Sequence, residues 1–549
     1  MLFRPIVAGI ILTSGAFAQL TSFPKPDYFR ETFQKTKTTV ELKDPVKLQD
    51  FVHGGKLELS LKDYLSLVMA NNTDIQIQML SVETPKNAIT RAFATWDPLA
   101  QASFKSSRST TPASDALQGA ATVVSLTQPA TFSYQQLLPT GTTYTATFSG
   151  QKSTTNSGFS TFNPALNSNL SLRFSQPLLK NRGTYVNRLG LMMARSRLRV
   201  SEYNLRNNLL GMVNTAENAY WDVISARESL KVAQFGQKVA EEFLALSQKQ
   251  LDLGALSPLD IYNPQQQLAN AKLTVSQSEF NLIQKEDALR KQIGADLDAK
   301  IRTLPVVLTE TVDLADTEGK VDRELAVDKA LNLRPDLKSA VQNLDVDDLN
   351  IRSARNSLLP NLALTGSYQT QGRGGVFYQR QNVFTGDGTQ SSILTQVPGG
   401  FGDALTQMFG FGYPVYSFGL TLSLPIKSHQ ASADMADAVI QKKRDALNVR
   451  TTQQQIRLDI LNAVTNLDGS KEQLKLAKLA REFAQKNLDA ENKKYELGTE
   501  INQNVITAQN VLVQAESAVV TNQINVRRNL LNLLTKTGEL LDERGIAIQ

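Results

Sequence analysis

The sequence carries one long pattern twice. Asp74 and Pro98 recur as Asp336 and Pro360, with a common spacing of 262 residues. Further along, a spacing of 244 residues holds without a gap. It relates Glu228, Leu230, Lys231, Ala233, Leu253, Gly254, Leu268, Ala271 and Gly294 to Glu472, Leu474, Lys475, Ala477, Leu497, Gly498, Leu512, Ala515 and Gly538. A period of this length indicates a duplicated half-protein rather than a solenoid module. Two like halves suit a ring or a tube better than a pocket.

The first 18 residues have the features of a secretory signal. Arg4 supplies the positive charge, residues 6–17 the apolar core, and residues 16–18 the small-residue cleavage pattern. We therefore expect export and a mature chain that starts at Gln19, followed by an extended N-terminal segment over 19–56. No later segment reaches about 18 uninterrupted apolar residues, so no transmembrane helix is expected.

The residue types exclude several kinds of site. The chain has no cysteine, which removes disulfides and an acylated cysteine, and its two histidines, His53 and His429, lie in different halves. A zinc site or a histidine-based catalytic triad is therefore not expected. The net charge of +6 is spread over Lys and Arg interleaved with Asp and Glu, which is typical of a solvated surface. We expect no catalytic residue, no cofactor, no metal and no nucleic-acid partner.

Each half shows the same succession of patterns. The first repeat covers 57–310 and the second 311–549. Amphipathic helices are predicted at 57–95 and 323–357, strands at 98–177 and 360–425, and long helical hairpins at 186–294 and 428–538. The strand windows alternate apolar with small polar residues, as in Tyr144, Ala146 and Phe148. This alternation is typical of half-exposed strands and fits a barrel with lipid outside and water inside.

Two tracts between the strands, residues 106–127 and 372–412, are rich in Gly, Ser, Thr and Gln and are predicted to be exposed loops. The sequence Leu138-Pro139-Thr140-Gly141 predicts a tight turn. The first half therefore has room for an extra hairpin that the second half lacks. The sequence leaves open whether that hairpin joins the sheet or folds outside it.

Each long hairpin turns at a glycine. Gly254 and Gly498 are predicted to end the first helix of their hairpins as C-caps. Ser257 and Pro258 are predicted to cap and start the helix that returns from the first turn.

This arrangement resembles the TolC-like outer-membrane efflux proteins. The likeness rests on the openings at Asp74/Pro98 and Asp336/Pro360, on the strand endings at 175–178 and 423–426, and on the glycine-centred tips, in this order and in duplicate. It implies an α+β membrane protein that forms a homotrimer. Each chain would give four strands, and possibly the extra hairpin, to an outer-membrane β-barrel that a long periplasmic α-helical barrel continues. It further implies the exit duct of a tripartite efflux pump or type I secretion system, with a periplasmic adaptor and an inner-membrane transporter, driven by protons or ATP, as partners.

The resemblance also implies site residues. In this family the hairpin tips contact the adaptor, which transfers here to Gly254, Ser257, Tyr495 and Gly498. Many members carry acidic residues after the second tip at the periplasmic entrance. This chain departs from that pattern, since Asn504 and Thr507 stand six and nine residues after Gly498, while Asp260 follows Gly254 by six. Asp260 is therefore an entrance candidate, although the sequence favours the simpler explanation that it is a charge at a helix N-terminus.

Two other functions remain open. A periplasmic adaptor also has long helical hairpins after a signal, but it would need a lipoyl-like sandwich beside a single hairpin. A secreted enzyme would need a nucleophile paired with a base, and the sequence offers none. The cargo, and the choice between drug efflux and protein secretion, do not follow from the sequence.

Overall fold

The structure is a computed structural model. It describes residues 46–113, 120–158, 160–254, 256–296, 299–311, 321–380, 393–497 and 499–546. The predicted signal peptide and residues 19–45 of the predicted extended segment lie outside the described residues, as does Gly498. Mixed helix and sheet content agrees with the predicted α+β class.

Twelve α-helices occur in the described part of the chain. They are α1 (Leu61–Asn71), α2 (Thr73–Leu80), α3 (Glu83–Phe93), α4 (Gly183–Asn187), α5 (Leu189–Asp252), α6 (Tyr262–Gln292), α7 (Arg323–Leu333), α8 (Pro335–Ser357), α9 (Phe401–Phe409), α10 (His429–Glu496), α11 (Asn502–Thr537) and α12 (Leu540–Glu543). Within the described ranges, none of these helices combines the length and the apolar character that a membrane crossing needs.

Eleven strands accompany them in the same ranges. They are β1 (Val52–His53), β2 (Lys56–Leu59), β3 (Leu99–Phe104), β4 (Ser107–Pro112), β5 (Thr122–Leu137), β6 (Thr143–Thr155), β7 (Phe162–Pro177), β8 (Val306–Leu308), β9 (Asn361–Arg380), β10 (Ile393–Val397) and β11 (Pro414–Ser423). A small sheet joins β1, β2 and β8, with β2 and β8 parallel. The other eight form one antiparallel sheet.

The large sheet has six strand positions. Its order is β3, β5, β6, β7, β9 and β11, while β4 continues the β3 position along β5 and β10 continues the β11 position along β9. This differs from the four strands per chain expected from the resemblance. The extra hairpin is β5–β6, which turns at Gly141, with φ near +90°. It pairs with β3 on one side and with β7 on the other, so it lies in the sheet.

The register sorts side chains onto two faces. One row across the sheet pairs Tyr134, Ala146, Leu172, Tyr368 and Tyr416. The next row holds Ser133, Thr147, Ser171, Gln369 and Val415 on the opposite face. Directly paired residues share a face, and neighbours along a strand alternate, so the sheet has an apolar face and a largely hydroxyl and amide face.

Helix α9 occupies part of the tract 372–412 that the sequence predicted to be a loop. It packs on the apolar face of the sheet, where Ser168 Oγ donates to the carbonyl oxygen of Ala404 at 2.8 Å. Gly372 permits this contact, because a Cβ there would lie 1.9 Å from the same oxygen. The other predicted loop, 106–127, contains β4 and the start of β5. Parts of both tracts form strands because β5 and β9 are long enough to pair with them: β4 pairs with β5, and β10 pairs with β9.

Four helices form the two long hairpins. Helices α5 and α10 have 64 and 68 residues, which corresponds to roughly 95–100 Å at 1.5 Å per residue. Helix α5 packs on α6 and on α11, and α11 packs on α10, which gives the order α6, α5, α11, α10. Part-way along the long helices, α1 and α2 pack against α5, and α7 packs against α10. The largest buried cluster includes Tyr64 and Tyr220, whose rings lie 5.4 Å apart.

The C-terminal helix α12 is tied to α5 by a buried ion pair. Glu217 is 1% exposed and accepts from the guanidinium of Arg544 at 2.6 and 2.9 Å. Trp221 Nε1 lies 3.4 Å from the same carboxylate. A second pair between the same two elements, Arg206 with Asp542, lies at the surface. The two pairs allow a matched comparison.

We expect Arg544→Ala to destabilise the protein by about 3–5 kcal/mol, because the buried Glu217 carboxylate loses its bidentate guanidinium partner and keeps only the long contact with Trp221. Arg206→Ala removes an exposed pair and should cost at most about 1 kcal/mol. Unfolding of both variants in detergent, followed by circular dichroism, measures the two costs. Equal losses would contradict the assignment of the buried pair.

A second buried carboxylate lacks such a partner. Asp347, on α8, is 5% exposed, and its Oδ2 has no hydrogen-bond partner. Burial, followed by the nearby charge of Asp445 on α10, raises its pKa to about 6. Lys442 on α10 instead pairs with Asp348 at 2.5 Å. Folding therefore makes the ionised form of Asp347 less favourable than it is in the unfolded chain.

We expect Asp347→Asn to stabilise the protein at pH 7 by roughly 1–3 kcal/mol. Because the folded-state pKa lies above that of the unfolded chain, the wild type should gain stability as pH falls from about 6 toward 4, and the variant should lack this gain. Apparent melting temperatures across this range test both statements. Asp489→Asn, at an exposed carboxylate on α10, is the control and should leave the pH profile unchanged.

Candidate functional site

The two hairpin turns lie side by side. At the first turn, Gly254 has φ near +73°, and its N–H donates to the carbonyl of Leu251 at 2.9 Å. This is the left-handed geometry predicted for a glycine after a helix end. The position that a Cβ would take has no heavy atom within 4 Å. Gly254 therefore ends α5 and leaves open space beyond it. Gly498, its predicted counterpart, lies outside the described residues.

Ser257 does not start the returning helix. Its hydroxyl oxygen accepts from the N–H of Leu259 at 3.3 Å, and Asp260 N–H donates to the Ser257 carbonyl at 2.9 Å. These bonds form a separate turn over 257–260, and α6 begins only at Tyr262. The prediction that Ser257 and Pro258 cap and start this helix is wrong. A local side-chain bond to the backbone competes with helix formation here. The explanation of Asp260 as a charge in the first helical turn loses its basis as well.

Tyr495 is a packing residue. It is 3% exposed, its ring lies 5.4 Å from that of Phe243 on α5, and its hydroxyl lies 3.4 Å from Ser247 Oγ. Burial raises the pKa of its phenol. The cluster around it includes Leu488 and Leu512. Since the ring is covered within the chain, Tyr495 holds the two hairpins together and does not present a contact surface to a partner, contrary to the prediction.

The three entrance candidates occupy exposed positions. Asp260 is exposed, and its backbone carbonyl accepts from the side chain of Asn502 at 3.4 Å. Asn504 and Thr507 lie on the first turns of α11. The Asn504 amide donates to Glu500 Oε1 at 2.6 Å, and the Thr507 hydroxyl donates to the Gln503 carbonyl at 2.8 Å. The first turn and the start of α11 are therefore in direct contact.

Glu500 is an acid that the sequence analysis overlooked. Its carboxylate accepts from the N–H of Ile501 at 3.0 Å and from Asn504. These bonds, with Lys494 nearby, hold its pKa below the usual range. The second tip thus carries an ionised carboxylate two residues after Gly498, rather than six or nine. The acid within Leu497-Gly498-Thr499-Glu500 was the available signal.

The tips also expose large apolar side chains. Leu253 is 83% exposed and Leu497 79% exposed. Leu259, Tyr262 and Ile501 are likewise exposed. We call these five residues the apolar rim. Turns normally carry polar residues, so the leucines flanking both tip glycines were a detectable sign of a contact surface.

Three comparisons relate this geometry to known proteins. The family model described as outer membrane efflux protein matches residues 135–295 and 326–539, more than half of the chain. The chain belongs to this family. The predicted TolC-like resemblance and the predicted location in the outer membrane are confirmed by this membership.

Individual relatives are distant. TtgC, the outer membrane protein of a toluene efflux pump in Pseudomonas putida, is 22% identical over 343 residues, or 62% of each chain. OpmQ, a pyoverdine export protein of Pseudomonas aeruginosa, is 22% identical over 325 residues, 59% of this chain and 60% of its own. The matched part spans about three fifths of both relatives. The CmeC outer membrane channel of Campylobacter jejuni superposes with a TM-score of 0.58 at 16% identity, over 92% of this chain and 90% of its own, which shows the fold.

We expect Tyr495→Ala to loosen the tips by about 3–5 kcal/mol, because it empties the space between the hairpins. Tyr495→Phe keeps the ring and loses only a long contact with Ser247, so it should cost below about 1 kcal/mol. Hydrogen exchange of the backbone amides over 484–512 reports this local opening. Equal effects of the two variants would show that the hydroxyl, and not the ring, joins the hairpins.

Proposed function

We propose that this protein is the outer-membrane exit duct of a tripartite efflux or type I secretion system. It works as a homotrimer, with the large sheet in the membrane and the long hairpins forming a periplasmic helical barrel. It conducts cargo passively from an inner-membrane transporter and a periplasmic adaptor to the exterior. The observation that carries the proposal is a sheet with one apolar and one polar face that continues directly into paired helices roughly 95–100 Å long.

The sheet supports assembly with further copies. Strands β3 and β11 are exposed along their whole length, and in the described residues neither pairs on its outer side. Backbone groups left unpaired in hydrocarbon cost several kcal/mol each, so membrane sheets close on themselves. One chain does not close its own sheet. Neighbouring copies supply the missing hydrogen bonds.

The helical region also exposes apolar surface that a neighbouring copy would cover. The outer helices of the row, α6 and α10, each expose an apolar stripe. The stripes consist of Leu273, Phe280 and Ile283 on α6 and of Leu476, Leu479 and Phe483 on α10. Their spacings of three, four and seven residues place each stripe on one helix face. Burying such side chains contributes roughly 1.5–3 kcal/mol apiece. We infer that α6 of one copy packs on α10 of the next.

The tips are proposed to dock the adaptor. The apolar rim supplies area that becomes buried on binding, and Gly254 and Gly498 allow close approach. Ser257 lies in the exposed turn that follows Gly254. Asp260, Glu500, Asn504 and Thr507 would form the polar lining of the entrance. Tyr495 contributes indirectly, because it fixes the relative position of the two tips.

The adaptor function is the weaker alternative. The apolar face carries Tyr416 and Phe418 at 72% and 75% exposed, which suits lipid and not a soluble sandwich. The cargo is not assigned, since the two relatives named above export toluene and pyoverdine.

The assembly can be tested on protein purified from outer membranes in detergent. We expect native mass spectrometry to show trimers and planar lipid bilayers to show discrete conductance steps. A stable monomer without conductance would overturn the proposed function.

Docking has a separate test. We expect Leu253→Gln with Leu497→Gln to weaken co-purification of the adaptor at least tenfold while trimers persist, because the rim loses its apolar area. Glu242→Gln, at an exposed site on α5 away from the tip, is the matched control. This variant should bind the adaptor normally. Retention of the adaptor by the double variant would show that docking uses other residues.

A further inference from the structure

The apolar face of the large sheet is limited to a band next to the helices. Toward the helices, it presents residues such as Phe174, Leu172 and Leu170 in succession along β7. Beyond Leu170, small residues replace the large apolar side chains on this face. Gly150 pairs with Ser168 there, and Gly372 follows on β9. Helix α9 covers these three positions. The lipid-facing band therefore ends at α9.

Six strands of one chain cross this band. They are β3, β5, β6, β7, β9 and β11, whereas β4 and β10 pair only with the parts of β5 and β9 beyond it. Strand β11 has 10 residues and pairs with Asn361–Thr370 of β9 along its whole length. This length agrees with the 9–11 residues that a tilted membrane strand needs.

The hairpin β5–β6 has the side-chain pattern of a membrane-spanning sheet, with one apolar and one polar face. On it, Phe132 pairs with Phe148 on the apolar face, and Thr131 pairs with Ser149 on the polar face. Besides pairing with each other, β5 pairs with β3 and β6 pairs with β7, so both strands are hydrogen-bonded on both sides. A hairpin folded away from the membrane would have no reason to keep its aromatic residues aligned with Leu170 on β7.

The strand directions permit closure by further copies of the chain. Strand β3 leads away from the helices and β11 returns toward them, so β11 of one copy can pair with β3 of the next in the antiparallel sense. Both carry apolar side chains on the same face of the sheet, Phe104 on β3 and Phe418 on β11. The six positions thus alternate in direction without interruption around a ring.

We propose that each copy supplies six strands to the membrane wall, so that three copies enclose an 18-stranded barrel. This rests on the trimer of the proposed function. With strands about 4.8 Å apart and tilted by about 40°, 18 strands give a wall about 36 Å across between backbones, and 12 strands one of about 24 Å. The membrane opening is therefore about 1.5 times wider than four strands per copy would allow.

The helices that meet the sheet require a similar perimeter. Next to the sheet, α3, α5, α8 and α10 pack in succession, so three copies bring 12 helices to the junction. At about 8–10 Å between axes they occupy about 96–120 Å. A wall of 18 strands measures about 113 Å around and one of 12 strands about 75 Å. The wider barrel thus joins the helical tube without a step, whereas a wall of 12 strands would be narrower than the tube.

Spin labels on β7 measure the width, because β7 lies in the wall whether each copy supplies six strands or four. The chain has no cysteine, so Arg173→Cys and Leu172→Cys each give one label per copy in the full-length trimer. The first label points to the polar face and the second to the apolar face, so the mean of their inter-copy distances follows the wall. We expect about 31 Å for 18 strands and about 21 Å for 12. Labels at Thr147→Cys and Ala146→Cys then report on the extra hairpin, and we expect a water-soluble relaxation agent to reach position 147 and not position 146.

The outcomes separate the two proposals. Trimers with a mean near 31 Å and one-sided water access support the 18-stranded wall. Trimers with a mean near 21 Å, or with both positions open to water, overturn it and leave the duct intact, with β5–β6 outside the wall. Failure to find trimers in native mass spectrometry overturns the proposed assembly, and this inference with it.

Discussion

Backbone hydrogen bonding at the two borders of the large sheet governs the rest of the molecule. Water can satisfy an unpaired strand edge, but hydrocarbon cannot, and each orphaned amide or carbonyl there costs several kcal/mol. One chain leaves β3 and β11 with a free edge in the described residues. The same chain has long helices with exposed apolar stripes at the flanks of the helical row. Sheet and helices thus share one requirement, which neighbouring copies fulfil at both levels in the proposed homotrimer. In that assembly, folding and oligomerisation depend on each other.

Within one chain, different interactions hold the helical region. The first buried cluster joins α1 and α2 to α5, the second joins α7 to the second hairpin, and the third lies at the tips. Polar pairs fix particular contacts between them, as Glu217 with Arg544 does for the C-terminal helix. The tip cluster around Tyr495 keeps two hairpin turns in register. The apolar rim can therefore act as one surface, although its residues come from two parts of the sequence.

The two halves of the chain differ in the sheet and are alike in their long helical hairpins. Both halves have a long helical hairpin, α5–α6 in the first and α10–α11 in the second. The first half fills four positions in the sheet and the second half two. The second half has instead placed α9 between β10 and β11, on glycines that leave no room for a side chain. Changes in the sheet alter the width of a wall, while changes in the hairpins would alter every contact along the tube.

Hydrophobic periodicity and glycine placement by themselves determined the order of elements, the long hairpins, the alternation of the strands and the left-handed residue at Gly254. These are local properties, and each is encoded within a few turns or a few strand residues. Tertiary structure alone decided that β5–β6 joins the sheet, that Ser- and Gly-rich tracts become β4 and α9, and that Tyr495 is buried. The physical reason is common to all three. Each depends on which partner lies alongside, such as β7 for β6, the glycines of β9 for α9, or Phe243 for Tyr495, and a partner distant in sequence leaves no periodic trace in the segment itself.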